Sequence, residues 1–297
     1  MSEFCCDASV GAGESQSGSA ATGVRVWLLL EWRRPWGAKA PAASGLPEAV
    51  ERRLAELAPK GGPVRVQLLR HPARTRGPLK LFLVAAHEVW SLTVDPRALE
   101  ARLQELSFDL DQDPAALEAA GWRAEAQPIY LVCTHGKRDA CCAKRGLPLF
   151  AALDGRLPGR VWQSTHLGGH RFAPTFTILP AGTSYGRVPT LAVPSLVAAL
   201  EAGGVGEPSL VRGRCDLARD EQVAYGHLLS NLGEAATASP NALQLESRDG
   251  SVQRWRLGDR RFEVECAQAE ALMVLSSCSD AGPKAVERWA VRRVAEV

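Results

Sequence analysis

One order of elements occurs twice along this chain. In its first occurrence an apolar run of strand length, VRVWLLLEW (24–32), precedes LPEAVERRLAEL (46–57), whose apolar residues recur at helical spacing. VRVQLLRH, KLFLVAA and EVWSLTV read as strands, and DPRALEARLQEL (95–106) as a helix with Asp95 at its N-cap and Pro96 in its first position. The order returns after the acidic bridge DLDQDP: PIYLVC (128–133) is a strand and CAKRGLPLFAAL (142–153) a helix in spite of Pro148. RVWQST (160–165) and APTFTILP (173–180) are strands, and VPSLVAALEAG (193–203) a helix. Two units built alike point to an ancient duplication, with RRPWGAK in the first unit occupying the place of THGKRDACC in the second.

The remainder frames these units. Residues 1–23, rich in Gly, Ser and Ala, read as a flexible tail. Beyond residue 205, LARDEQVAYGHLLSNLGEA (217–235) reads as an amphipathic helix and ALQLESRDGSVQRWRL (242–257) as a hairpin turning at Asp249-Gly250. RRFEVECAQAEALMVLSSC adds one or two strands. The expected organisation is α/β: tail 1–23, N-terminal domain 24–124, second domain 125–205 and an α+β C-terminal extension over 206–297.

Composition narrows the function classes. With 46% hydrophobic and 23% charged residues in 297, the chain is that of a soluble globular protein. It has no apolar run near the ~20 residues a membrane-spanning helix needs. A net charge of +2 gives no general attraction to nucleic acid. The N-terminus lacks the basic and apolar regions of a signal peptide. Eight cysteines, unevenly spaced and adjacent at Cys5-Cys6 and Cys141-Cys142, do not form a secreted disulfide framework, so a cytoplasmic compartment is expected.

The second unit gathers the soft ligands. Cys133 ends a strand and Cys142 starts a helix, with eight residues between them, and His166 and His170 stand in H-x-G-G-H. A helix N-terminus stabilises a thiolate, and the paired glycines favour a bent loop over a helix. Two Cys and two His are a zinc set, although structural zinc pairs space their cysteines more closely. An iron–sulfur cluster tolerates wider spacing, and Rieske centres show His replacing Cys on one iron.

These motifs, running on into RFAPTFTILPAGTSYGRV and preceded by WLLLEWRRPWG, resemble the sucrase/ferredoxin-like family. The resemblance implies a thioredoxin-like ferredoxin domain in the second unit, preceded by a divergent thioredoxin-like N-terminal domain. It also implies a 2Fe-2S cluster with Cys133 and Cys142 on one iron and His166 and His170 on the other. Cys141 is an alternative to Cys142, and the eight-residue gap selects Cys142. Imidazoles in place of thiolates would raise the reduction potential and couple electron uptake to proton uptake. The implied function is one-electron transfer in redox homeostasis, with a redox partner protein. Sucrase activity is not expected, because glycoside hydrolysis needs two facing carboxylates and no such pair stands out. A zinc-stabilised binding module and a thiol-disulfide oxidoreductase are the alternatives, the latter weakened by the lack of C-x-x-C.

Other residues have plainer readings. His135, Lys137, Arg138 and Asp139 suit a solvated polar loop, or else contacts to a cluster or a partner. Arg171 and Tyr185 suit packing or a supporting role beside the ligands. Cys215, Cys266 and Cys278 read as small buried hydrophobes, His71, His87 and His227 as structural residues, and the eight tryptophans as core filler.

Overall fold

The computed structural model describes residues 4–106 and 114–297. All of the acidic bridge except Pro114 lies outside the described residues. The first unit contains α1 (Cys5–Gly11), β1 (Val26–Glu31), α2 (Glu48–Leu57), β2 (Val64–Arg70), β3 (Leu79–Ala85), β4 (Glu88–Val94), α3 (Leu99–Gln104), α4 (Pro114–Ala119) and β5 (Arg123–Ala124). The second contains β6 (Ile129–Cys133), α5 (Ala140–Asp154), β7 (Val161–Ser164), β8 (Phe176–Leu179), β9 (Thr183–Tyr185), α6 (Val193–Glu201) and β10 (Val211–Arg214). There follow α7 (Arg219–Asn231), α8 (Glu234–Thr237), β11 (Leu243–Asp249), β12 (Val252–Leu257), β13 (Arg260–Val274) and β14 (Lys284–Glu296).

The architecture is mixed α/β. Ten strands form one sheet in the order β10-β9-β8-β6-β7-β2-β1-β3-β4-β5. Parallel neighbours need a crossover between them, and α2 and α5 supply it for β1–β2 and β6–β7. In each half the next two strands add antiparallel on the far side of the first. β2 and β7 meet antiparallel at the centre, Leu69 opposite Ser164, so the halves are related by a pseudo-twofold through that pair. Strands from both expected domains lie in this one sheet, joined at β2–β7, and β10 adds an edge strand to it from the segment after residue 205.

Strand alternation sorts side chains to the two faces of this sheet. Val26, Leu28 and Leu30 of β1 pack with Val50 and Leu54 of α2, while Tyr130 and Val132 of β6 pack with Leu149 and Leu153 of α5. The intervening residues, Trp27 and Leu29 of β1 and Ile129, Leu131 and Cys133 of β6, share one core that spans both halves. That shared core also holds Cys5, Cys6, Cys141, Cys142 and Cys215.

The last four strands form a separate antiparallel sheet, β11-β12-β13-β14. Asp249-Gly250 turns its first hairpin, with Gly250 at φ 58. Trp255 of β12 is fully buried and lies 6.2 Å, centroid to centroid, from Tyr225 of α7.

The N-terminal segment departs from the flexible tail that its composition suggests. Cys5, Cys6 and Ser9 of α1 are buried, and so are Glu14 and Gln16. Glu14 accepts from Ser9 Oγ at 2.6 Å and pairs with Arg171 Nε at 2.7 Å. Gly18 N donates to the Arg212 carbonyl at 2.9 Å, and Ala20 N to Gln222 Oε1 at 3.1 Å. Small polar residues are ordered here because partners about two hundred positions away satisfy their backbone groups, information that a local composition does not carry.

Candidate metal centre

Two strand ends and one helix start build the site. β6 stops at Cys133, and Asp139 caps α5 by accepting from Cys141 N at 3.3 Å, which places Cys141 and Cys142 in the first helical turn. Gly146, one turn further on, lets the helix close on the strand: a Cβ there would stand 2.1 Å from the Cys133 carbonyl oxygen. After β7 the chain bends through Gly168 (φ 97) and Gly169 (φ 63) to reach His170. Both glycines lie in the left-handed region that β-carbons disfavour. Arg212, 1% exposed, holds this bend by donating to the Gly168 carbonyl at 3.2 Å, to Ser19 Oγ at 3.0 Å and to the Ser19 carbonyl.

The donors converge in two neighbouring groups. In the first, His166 Nδ1 lies 3.9 Å from Cys133 Sγ and 3.8 Å from Cys142 Sγ. In the second, Cys5 Sγ lies 3.6 Å from Cys141 Sγ and 3.5 Å from His170 Nδ1, which is itself 3.2 Å from Asp139 Oδ2. The donor atoms of each group, Cys133–Cys142–His166 and Cys5–Asp139–Cys141–His170, lie within 4.8 Å of one another, and either group can hold a metal ion. The rings of His166 and His170 are 5.2 Å apart, so the groups adjoin. The cysteines are buried and the two histidines half-buried, which puts the imidazoles on the solvent side.

The first half of the chain supports the second at this point. His135 is 3% exposed; its Nε2 lies 2.9 Å from the Gly37 carbonyl and its Nδ1 3.2 Å from His166 N. A carbonyl only accepts and a backbone N–H only donates, so the ring is neutral with its proton on Nε2. Burial pushes the His135 pKa down, in keeping with that form. Arg65 Nη2 adds a bond to the His166 carbonyl at 3.2 Å. Gly37 belongs to RRPWGAK, so the loops that correspond in the two halves touch across the seam.

Proximity splits the thiol acidities. The Cys133 thiol is held well below its ordinary value, first by a hydrogen bond from Cys142 and then, against burial, by His166. Cys142 is pushed up, chiefly by the same pairing with Cys133. Cys5 is lowered to about 5, chiefly by its hydrogen bond with Cys141. Burial opposes ionisation of Asp139, but hydrogen bonds from Cys278, Cys141 and Ser277 outweigh it and hold the carboxyl below the usual range.

Of the four residues singled out by their motifs, Cys133, Cys142 and His166 meet directly, while His170 adjoins them and turns Nδ1 toward Cys5 and Asp139. Cys142 faces His166, and Cys141 faces Cys5, Asp139 and the His170 carbonyl. His135 and Asp139 are buried, whereas Lys137 and Arg138 are exposed as a polar loop requires. Cys278 is half-buried against the shared core rather than inside it, and the tip of the β13–β14 hairpin brings its Sγ to 3.5 Å from Cys5 Sγ. Local spacing carried no sign of Cys5, Cys278 or Arg212; the one available hint was the count of cysteines without an assigned partner. Tyr185 is a packing residue, stacked on Phe176 at 4.6 Å, and Arg171 serves Glu14.

Fold and site together define a mixed α/β protein with a buried Cys/His candidate metal centre at the seam of two like halves. The family model of the sucrase/ferredoxin-like proteins matches residues 19–213, more than half of the chain, and the protein belongs to that family. Neither the curated proteins nor the solved structures include a match to it. Among the described residues no helix is long and apolar enough to cross a membrane.

Proposed function

We propose that the protein is a one-electron carrier whose Cys133, Cys142, His166 and His170 hold a 2Fe-2S cluster. The observation that carries this reading is the meeting of two buried thiols with His166, beside the ring of His170, on a scaffold of this family. The donor set fits such a cluster chemically: soft thiolates for one iron and neutral imidazoles for the other. The strand order β9-β8-β6-β7, with β7 parallel to β6, supports a thioredoxin-like reading of the second half.

When bound, the cluster supplies reversible one-electron redox chemistry. The chain's own residues do the rest. Gly146 lets Cys142 approach Cys133, and His135 with Arg65 orients His166 through its backbone. The half-buried position of the imidazoles supports proton exchange with water at a ring nitrogen that no metal holds, as on His166. Exposed Lys137 and Arg138 beside the ligands suit docking of a redox partner protein, and a cytoplasmic compartment goes with the cysteine usage.

A mononuclear zinc site is the second reading, favoured by one observation: donors 3.8 and 3.9 Å apart are near the ~3.5 Å separation around a single tetrahedral metal. Visible absorption and low-temperature EPR of anaerobically purified protein, before and after dithionite, with iron, sulfide and zinc analysis, decide between them. Two irons and two sulfides lost together in Cys133→Ser support the carrier. Colourless protein with zinc bound through Cys133, made where iron is plentiful, overturns it.

A further inference from the structure

We propose that Cys5, Asp139, Cys141 and His170 form a second metal site, for a divalent zinc-like ion, separate from the Cys133–Cys142–His166 group. A tetrahedral zinc with Zn–S of ~2.3 Å and Zn–N or Zn–O of ~2.0–2.2 Å sets its ligand atoms roughly 3.3–3.8 Å apart. Here Cys5 Sγ stands 3.6 Å from Cys141 Sγ, 3.5 Å from His170 Nδ1 and 3.8 Å from Asp139 Oδ1. Asp139 Oδ1 stands 3.0 Å from Cys141 Sγ, and Oδ2 stands 3.2 Å from His170 Nδ1. The three separations from Cys5 fall in that range and the two from Asp139 to Cys141 and His170 are a few tenths of an ångström shorter, so the four side chains surround a space of the size one small cation needs.

The cage is supported from outside. Ser277 Oγ and Cys278 N donate to Asp139 Oδ2 at 2.8 and 3.0 Å, which holds the carboxylate as outer-shell donors hold a metal-bound one. Cys5 N donates to Cys278 Sγ at 3.4 Å, tying α1 to the hairpin tip. Cys5 and Cys141 are 0% exposed, and thiols gathered this closely without a metal would contribute only weak hydrogen bonds. The ion would join three pieces of chain directly, α1, the start of α5 and the turn that carries His170, and through Asp139 a fourth, the hairpin tip. Cys5 and Cys278 lie outside the residues that the family model matches.

The proposal rests on the reading above only in sharing His170: the second site takes Nδ1, leaving the other ring nitrogen for the first group. Cobalt(II) titration of full-length Cys133→Ser protein tests it whatever the first group holds. Thiolate-to-cobalt charge-transfer bands saturating at one cobalt per chain are expected, with binding weakened by at least about tenfold when Cys5→Ser or Cys141→Ser is added. Zinc analysis of the otherwise unaltered protein gives a second arm that needs no double variant to fold. A zinc retained alongside iron and absent from Cys5→Ser, with iron unchanged, supports the site. Absence of the charge-transfer bands, or loss of one and the same metal from Cys5→Ser and Cys133→Ser, overturns it. Failure of the carrier reading would appear separately, as missing iron in protein that still binds cobalt through Cys5.

Discussion

Cys141 and Cys142 are neighbours in the chain and serve different groups: the Cys142 thiol lies 3.8 Å from His166 Nδ1, and the Cys141 thiol 3.6 Å from Cys5 Sγ. Successive residues of an α-helix project about 100° apart, and at the N-terminus of α5 that angle is enough to face the two pockets. A sequence with two adjacent cysteines therefore encodes two distinct thiol environments. Cys142→Ser is expected to abolish iron and sulfide retention, and Cys141→Ser to leave both within a small fraction of the unaltered protein. Colorimetric iron and sulfide analysis of the two variants checks this, and equal losses would refute the division.

Gly146 sets how closely α5 can approach Cys133. A methyl group there would stand 2.1 Å from a backbone oxygen, which no rotamer change relieves. Gly146→Ala should cost about 1–3 kcal/mol, as overpacking does, and draw Cys142 away from Cys133. Denaturant midpoints report the first effect, and the rate of metal loss to a chelator reports the second.

His135 bonds the Gly37 carbonyl and His166 N, and thereby joins the two halves beneath the first group. Residues that orient ligands in this way typically change metal affinity by ~10–100-fold when removed. His135→Ala should release the metal of the first group faster by that order while circular dichroism stays unchanged. A release rate equal to that of the unaltered protein would reduce His135 to a packing role.

Glu31 is a buried carboxylate at the end of β1, 2.8 Å from Arg33 Nε, 3.0 Å from Arg74 Nη2 and 2.9 Å from Lys80 N. Burial alone would raise its pKa, but Arg74, Arg33 and the Lys80 amide together bring it below its ordinary 4.5. With the folded value below the unfolded one, the stabilisation is complete above about pH 4.5 and is lost as pH falls through the folded value. Glu31→Ala should therefore lower stability at neutral pH, by an amount at the low end of the ~3–5 kcal/mol typical of a broken buried pair, because Arg33 and Arg74 keep some water. Urea unfolding at neutral and acidic pH checks it: the difference between variant and unaltered protein should shrink on acidification.

Much of this protein could be read from local pattern. The apolar spacing of the α2, α5 and α6 segments, the alternation in the strands, and Asp249-Gly250 placed most elements, because each depends on residues a few positions apart. The H-x-G-G-H motif and the C-x8-C loop pointed to Cys133, Cys142, His166 and His170 for the same reason: the spacing within each motif is local, and strand ends bring such loops together. Other features followed only from long-range closure. The antiparallel pairing of β2 with β7 joins the halves into one sheet and sets Gly37 against His135. Cys5 and Cys278, 273 positions apart, reach each other because α1 and a hairpin tip pack onto the same end of the shared core. No periodicity records that contact, since it arises from how finished elements stack, and the polar N-terminal segment is ordered by buried Arg212 and Gln222, which a window of local composition cannot contain.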